Sequence, residues 1–197
     1  MSFIIRPGTE ADIKACANLD RSFPNDRVLF VNVAVAAPEH TVSLRLKQVK
    51  PAGGRRTHQV DEEHIRGRDE GLDGAEMFWV GELDGHAIGY LILRTWDWQR
   101  LVGQISQIAV DRPHHGIGIG TALVETAKAY AVERGLRVLM WETQTDNVEA
   151  IEFALRRGFV LAGYNALYYE NDGLARQVAP DFMGIAIFLC WPNSANE

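Results

Sequence analysis

The stretch Ile108-Ala109-Val110-Asp111-Arg112-Pro113-His114-His115-Gly116-Ile117-Gly118-Ile119-Gly120-Thr121-Ala122-Leu123 carries the most legible chemistry in the 197-residue chain. An apolar strand runs into glycines, and the glycines run into an amphipathic helix. Glycine lets a backbone come close to a ligand, and the first N–H groups of a helix have no partner within it. Those donors, with the positive end of the helix dipole, suit a phosphate or diphosphate. Three other readings stand beside this one. A dinucleotide site wants G-x-G-x-x-G after a parallel strand and an acid ~20 residues further on. Here Thr121 takes the third glycine's place, Glu142 lies near the required distance, and the preceding strands read as antiparallel hairpins. A P-loop needs Gly-Lys-Ser/Thr, and this loop has no lysine. In the third reading the glycines only permit a tight turn. His114 and His115 are adjacent in the loop with no third ligand nearby, so no metal site is expected.

The elements that position the loop follow from periodicity and breakers. Residues 3–6 read as a short buried strand closed by Pro7-Gly8, and Thr9 with Asp12 has capping-box spacing ahead of a helix with Ile13, Cys16 and Ala17 on one face. Residues 28–35 are apolar and 41–47 alternate as a half-buried strand, with Pro38-Glu39-His40 joining them as a hairpin. From 51 to 74 Gly, Arg, Asp and Glu dominate, which reads as a polar variable segment, a loop or short exposed helix. Residues 77–83 and 86–95 are strands joined by the two-residue turn Asp84-Gly85. Trp96-Asp97-Trp98-Gln99-Arg100 connects them to a third antiparallel strand, 101–110. The period over 118–135 is helical, with Gly135 as its stop. Residues 138–141 read as a fully buried strand. Asp146 or Asn147 caps a helix to Arg157 that buries Ala150, Ile151 and Leu155. Strands at 159–161 and 184–190 follow. This order makes a mixed α/β sheet.

Composition bounds the function. Length suggests a single domain over 1–197. Hydrophobic residues are 47% and charged residues 23%, an ordinary globular balance. Lys+Arg 20 against Asp+Glu 26 gives −6, which disfavours nucleic-acid binding by phosphate neutralisation and is compatible with cationic substrates. Cys16 and Cys190 are too few and too far apart for a disulfide framework and read as reduced, buried thiols. No apolar run approaches a membrane span, and Met-Ser-Phe-Ile-Ile-Arg lacks the pattern of a secretory signal. A cytoplasmic protein is expected.

The loop register His115-Gly116-Ile117-Gly118-Ile119-Gly120 resembles the Gln/Arg-x-x-Gly-x-Gly/Ala acetyl-CoA loop of the GCN5-related N-acetyltransferase (GNAT) superfamily. A second match lies downstream: Asn147-Val148-Glu149-Ala150-Ile151-Glu152-Phe153-Ala154-Leu155-Arg156-Arg157-Gly158-Phe159 is similar to its Asn-x-x-Ala-x-x-Phe-Tyr-x-x-x-Gly-Phe. Ile4-Ile5-Arg6-Pro7-Gly8-Thr9-Glu10-Ala11-Asp12 is a typical opening for it. Within the superfamily, Trp141-Glu142-Thr143-Gln144-Thr145-Asp146-Asn147 and Leu167-Tyr168 are most like streptothricin acetyltransferases. The resemblance implies a mostly antiparallel, twisted sheet of about seven strands flanked by helices, and transfer of an acetyl group from acetyl-CoA to a primary amine of a small, cationic, antibiotic-like acceptor. Homodimers are frequent in the superfamily, and the apolar final strand is where two copies would pair.

The same resemblance implies roles. Backbone N–H groups from His115 to Thr121, through Gly116, Ile117, Gly118, Ile119 and Gly120, would hold the diphosphate of coenzyme A. Ile108, Ala109 and Val110 would bond its pantetheine arm, and Asn147, with Ala150 and Phe153, would contact the cofactor from the opposite side of the sheet splay. Three departures matter. His115 stands where Arg or Gln is usual. Ala154 replaces the tyrosine that protonates the leaving thiolate in many relatives, leaving Tyr168 and Tyr164 as candidates. Ser106 and Gln107 occupy positions that are acidic in streptothricin enzymes, so Glu142 becomes the best candidate base. Asp97, between two tryptophans, suits an organic cation through cation–π contact. The departures keep open a non-catalytic acyl-CoA-binding domain, and the acceptor groove keeps open a peptide or protein-lysine substrate.

Overall fold

The computed structural model describes all residues except 1, 37–38, 50–54, 58–59, 68–74, 97–98, 166–167, 169–184 and 194–197. In chain order its elements are β1 (Phe3–Pro7), α1 (Ile13–Ala17), β2 (Phe23–Pro24), β3 (Arg27–Ala36), β4 (Glu39–Gln48), β5 (Arg55–Arg56), α2 (Glu62–Arg66), β6 (Met77–Leu83), β7 (His86–Trp96), β8 (Gln99–Val110), α3 (Ile119–Glu133), β9 (Val138–Gln144), α4 (Val148–Arg156), β10 (Val160–Asn165) and β11 (Ala186–Pro192). Seven strands form one sheet in the order β1-β6-β7-β8-β9-β11-β10. The ladders β1/β6, β6/β7 and β7/β8 are antiparallel, whereas β8/β9 is parallel, so the mixed sheet expected from the element order is present. Among the described residues no helix is long and apolar enough to cross a membrane.

The chain divides into two compact units, the first made of Met1–Ser22, Thr57–Trp141 and Cys190–Glu197, the second of Phe23–Arg56 and Glu142–Leu189. In the first unit the β6–β7 hairpin turns at Asp84 and Gly85, both at positive φ (50° and 78°), the geometry that matches a tight turn to strand twist. Its strands bury Val80, Tyr90 and Ile92 in a cluster with Ile13 and Cys16 of α1 and Ile65 of α2. The short α2 therefore belongs to the core. The sequence between 51 and 74 shows no apolar period because a five-residue helix needs only one buried residue.

The start of α3 is fixed by a gap in the sheet. Gly81 and Gly89 are register partners on β6 and β7, and a Cβ on either would stand 2.7 Å or 3.0 Å from Ile119 Cγ2. Ile119, 1% exposed, thus seats the first residue of α3 in a hollow made by two missing side chains. Leu123, Val124, Ala127 and Ala131 continue the buried stripe, and Gly135 ends the helix at φ 64°.

An ion cluster ties the first strand to the first turn. Arg6 Nε donates to Glu82 Oε2 at 2.6 Å, and its two terminal nitrogens donate to Asp12 Oδ2 at 2.9 Å and Oδ1 at 2.7 Å. Asp12 also accepts from the Thr9 amide (2.8 Å) and hydroxyl (2.9 Å), so aspartate does the reaching-back half of the capping box. The Arg6 guanidinium, aided by these Thr9 donors, holds the Asp12 carboxyl down at about 2.

In the second unit β3 and β4 pair from Arg27↔Gln48 to Ala36↔Glu39 as an antiparallel hairpin, with Glu39 and His40, expected in the connection, belonging to β4 instead. Arg27 grips Glu152 of α4 through two nitrogens, at 2.6 Å and 3.4 Å. Three expectations of burial need correction. α4 buries Val148, Ile151 and Ala154, while Leu155 is 48% exposed and Ala150 only partly buried; the true stripe steps by three and lies one residue earlier. On β4, Val42 and Leu46 are about half exposed, because this hairpin forms its own two-stranded sheet. Strand β9 likewise alternates, burying Leu139, Trp141 and Thr143 while leaving the residues between them half-buried. Gly184 and Asp97 lie outside the described residues.

Two outcomes follow for stability. The folded Asp12 is more acidic than the unfolded one, so its contribution is complete above about pH 4 and fades as pH falls towards about 2. Asp12→Ala is expected to cost about 2 kcal/mol at neutral pH and to flatten the acid limb of a urea-midpoint profile. Gly81→Ala, which drives a methyl into Ile119, is expected to cost about 1–3 kcal/mol, measured by denaturant unfolding.

Candidate active site

The first unit builds the glycine loop. After β8, Asp111 and a 3-10 turn over Arg112–His114 lead through His115, Gly116 at φ 84°, Ile117 and Gly118 at φ 103° into α3. Both φ values lie where a side chain is strained. Gly118 is the N-cap residue and no side chain caps the helix; the first intrahelical bond, from the Ala122 amide to the Gly118 carbonyl, is 2.9 Å. The amides of Ile119, Gly120 and Thr121 precede that bond and form the donor end of the helix. A Cβ at Gly116 would meet nothing within 4 Å, so the loop is open on its outer side and offers room for an anionic group.

The loop is braced from its own side chains. His115 Nε2 donates to the Val110 carbonyl at 2.9 Å, which leaves Nδ1 to accept from Arg112 at 3.3 Å. His114 Nδ1 donates to Asp111 Oδ2 at 2.9 Å. Asp111 Oδ1 accepts from the Asp20 amide, and the Arg112 amide donates to the Asp20 carbonyl. His115 therefore stiffens the loop through the Val110 carbonyl and Arg112.

Strand β8 brings a second feature to the same unit. Ile92 pairs with Gln107 and Leu93 with Ile105, so Ser106 is an extra residue, a β-bulge that re-aims the strand. The parallel ladder with β9 runs from Val102↔Val138 to Ile105↔Trp141, while β8 itself continues through Ile108, Ala109 and Val110. Beneath the bulge, Tyr90, 1% exposed, donates from its hydroxyl to Gln107 Oε1 at 2.8 Å and receives a 3.3 Å bond from Arg21. Burial pushes the Tyr90 phenol above its ordinary range. Gln107 Nε2 donates to the His64 carbonyl of α2 at 3.1 Å. On α2, Asp61 Oδ1 accepts from both the amide (2.9 Å) and the Nδ1 (2.7 Å) of His64, and the imidazole holds the Asp61 carboxyl below the usual range. Sequence reasoning missed Tyr90, Asp61 and His64. The Asp-x-x-His spacing ahead of a short helix was the available signal.

The remaining expected residues lie in the second unit. Asn147 caps α4 by accepting from the Ala150 amide at 3.2 Å, and Phe153 lies under the Arg157 guanidinium at 5.9 Å. Ala154 is fully buried, and its methyl group has no proton to donate. Glu142 sits within β9, two residues before its end, and is half-buried. Tyr168 stands beyond β10 rather than on a strand, 46% exposed, with its ring edge-on to Phe188 at 5.7 Å. In the first unit, Cys16 is buried and its thiol pushed up to about 12 by desolvation, which makes it a core residue.

Known proteins share this arrangement. The acetyltransferase (GNAT) family profile matches residues 45–159. A streptothricin acetyltransferase of Streptomyces lavendulae is 32% identical over 170 residues, 84% of this chain and 84% of that protein. With three further curated relatives the match spans only 40% to 58% of their length. The crystal structure of nourseothricin acetyltransferase superposes with a TM-score of 0.72 at 25% identity, covering 98% of this chain and 99% of that one. A Bacillus anthracis str. Ames protein described as a streptothricin acetyltransferase, crystallised with acetyl coenzyme A, also gives 0.72, at 22% identity, covering 98% and 99%. A loop of this kind between a bulged strand and a helix, on a seven-stranded mixed sheet with these likenesses, places the chain in the GNAT acetyltransferase family.

Proposed function

We propose that this chain transfers an acetyl group from acetyl-CoA to a primary amine on a small, cationic acceptor of the streptothricin kind. The observation that carries the reading is the uncapped start of α3 at Gly118, opened by Gly116 and Gly118 at positive φ. The diphosphate of coenzyme A fits that cradle in charge and in the need for close backbone approach. His115, Gly116, Ile117, Gly118, Ile119, Gly120 and Thr121 would hold it, and Ile108, Ala109 and Val110 would bond the pantetheine arm. Asn147, Ala150 and Phe153 are the cofactor contacts proposed on the second unit. Bound acetyl-CoA supplies an activated thioester, and the protein's task is to hold the amine beside it and accept its proton. An amine is mostly protonated at neutral pH, and the net charge of −6 favours its approach. The acceptor class rests on the likeness to the Streptomyces lavendulae enzyme.

A second reading, a domain that binds acyl-CoA without turnover, is favoured by one observation: neither Ala154 nor Gln107 offers an acid or base, the first being buried and the second engaged by Tyr90 and His64. Release of free thiol across a panel of primary amines separates the two. The acetyltransferase reading expects thiol release with streptothricin. Binding of coenzyme A with no release for any amine supports the second reading.

Calorimetry checks the cradle directly. Coenzyme A is expected to bind, and Gly118→Ala, which forces a side chain to φ 103°, to weaken it about tenfold, the equivalent of about 1.4 kcal/mol. Absence of heat for the unaltered chain would remove the foundation of the proposal.

A further inference from the structure

A direct acetyl transfer needs an acceptor for a proton of the incoming ammonium, and the strand just before Ile108 offers Ser106 and Gln107, neither of them a base at neutral pH. What Gln107 does instead is visible. Its amide accepts from the buried Tyr90 hydroxyl and donates to the backbone carbonyl of His64, so it fastens α2 to the bulged strand one residue before Ile108. Ile65 is fully buried beneath the same helix, and Arg66 ties its far end to Glu10 at 2.7 Å. A helix of five residues is thus held at three points.

The side chain that this helix presents is an oriented imidazole. A carboxylate can only accept, so the 2.7 Å contact with Asp61 Oδ1 places the His64 proton on Nδ1 and leaves the lone pair on Nε2. The His64 side chain is 63% exposed, open to a solute, while its backbone is locked. Nucleophile activation uses the same pairing, a base aligned by a third group. The charged and titratable groups of the surrounding elements are Asp61, Glu62, Glu63 and Arg66 beside α2, Glu10 before α1, Lys14 and Cys16 of α1, Arg21 after it, and Tyr90 of β7.

On the reading of the chain as an acetyl-CoA-dependent amine acetyltransferase, we propose that His64 is the proton acceptor for the amine and that Asp61 and Gln107 are the residues that position it. The acceptor ammonium gives one proton to His64 Nε2. The neutral nitrogen then bonds to the acetyl carbon as the carbon–sulfur bond breaks. The second amine proton ends on the departing sulfur, giving acetamide and free thiol, and the imidazolium returns its proton to water.

Four measurements on the full chain test this. In nitrogen-15 spectra of histidine-labelled protein, neutral His64 is expected as the Nδ1–H tautomer, and Asp61→Asn is expected to abolish that preference; an Nε2–H tautomer in the unaltered chain overturns the assignment. His64→Ala is expected to lower kcat at least a hundredfold with coenzyme A affinity by calorimetry and melting temperature unchanged, and added imidazole is expected to restore part of the rate. Gln107→Leu, which removes the bond to α2, is expected to lower kcat more than tenfold while leaving coenzyme A affinity unchanged, with Gln107→Glu failing to rescue because a carboxylate cannot donate to the His64 carbonyl. A His64→Ala enzyme within threefold of the unaltered one, or a loss that imidazole leaves untouched, overturns the inference, and a selective loss in Glu142→Gln then gives the role to Glu142. If the unaltered chain binds coenzyme A and releases no thiol with any amine, the acetyltransferase reading itself fails, and this inference with it.

Discussion

The site depends on one packing contact, the seating of Ile119 over the paired glycines Gly81 and Gly89. An anion cradle at a helix start works only if the helix cannot slide or tilt, because the donors must stay at hydrogen-bonding distance from a fixed group. The two absent side chains let the first residue of α3 sink to the level of the strands, where larger neighbours would lift it. The rest of the buried stripe, Leu123 to Ala131, then holds the helix along its length. The loop ahead of it is pinned to Asp20 and to Val110, so both ends of the glycine run are anchored while its outer side stays open. Flexibility in the sequence becomes rigidity in the fold.

Much of this was legible because it is local. The β6–β7 hairpin follows from Asp84-Gly85, the strand-loop-helix from the step between apolar and glycine residues, and the Asn147 cap from its place before a 3.6-residue period. Aspartate at position 12 fulfils its capping role through geometry that the Thr9 spacing already encodes. The errors share a different cause. Leu155 stands one turn after the buried Ile151 and Leu46 two residues after the part-buried Leu44, yet both are half exposed, since period tells which residues share a face and not what covers that face. The outer strand β10 shows the same thing, with Val160 53% exposed. The hollow lined by Leu29, Leu46, Ile151 and Leu155, about 290 Å³, is the tertiary consequence that periodicity does not contain. A short helix was one of the two readings of the segment holding α2, but its place in the core was illegible for the opposite reason: five residues are too few to show a period, and it is held by Ile65 and by a bond from Gln107, more than forty residues away.

The amide of Gln107 joins a buried phenol to a helix backbone, two demands that few side chains meet together. Tyr90 is buried and its phenol keeps its proton at physiological pH, since desolvation opposes the charged form. It therefore donates, and its partner must accept. The carbonyl of His64 also accepts, so the group that joins it to Tyr90 needs one acceptor and one donor. A carboxylate meets the first demand and fails the second, and it would add a charge close to a buried phenol. Glutamine meets both and stays neutral. What that amide holds in place is the helix whose His64 imidazole bonds Asp61. Glutamine at position 107 is then the same fact as the docking of α2, seen from the strand rather than from the helix.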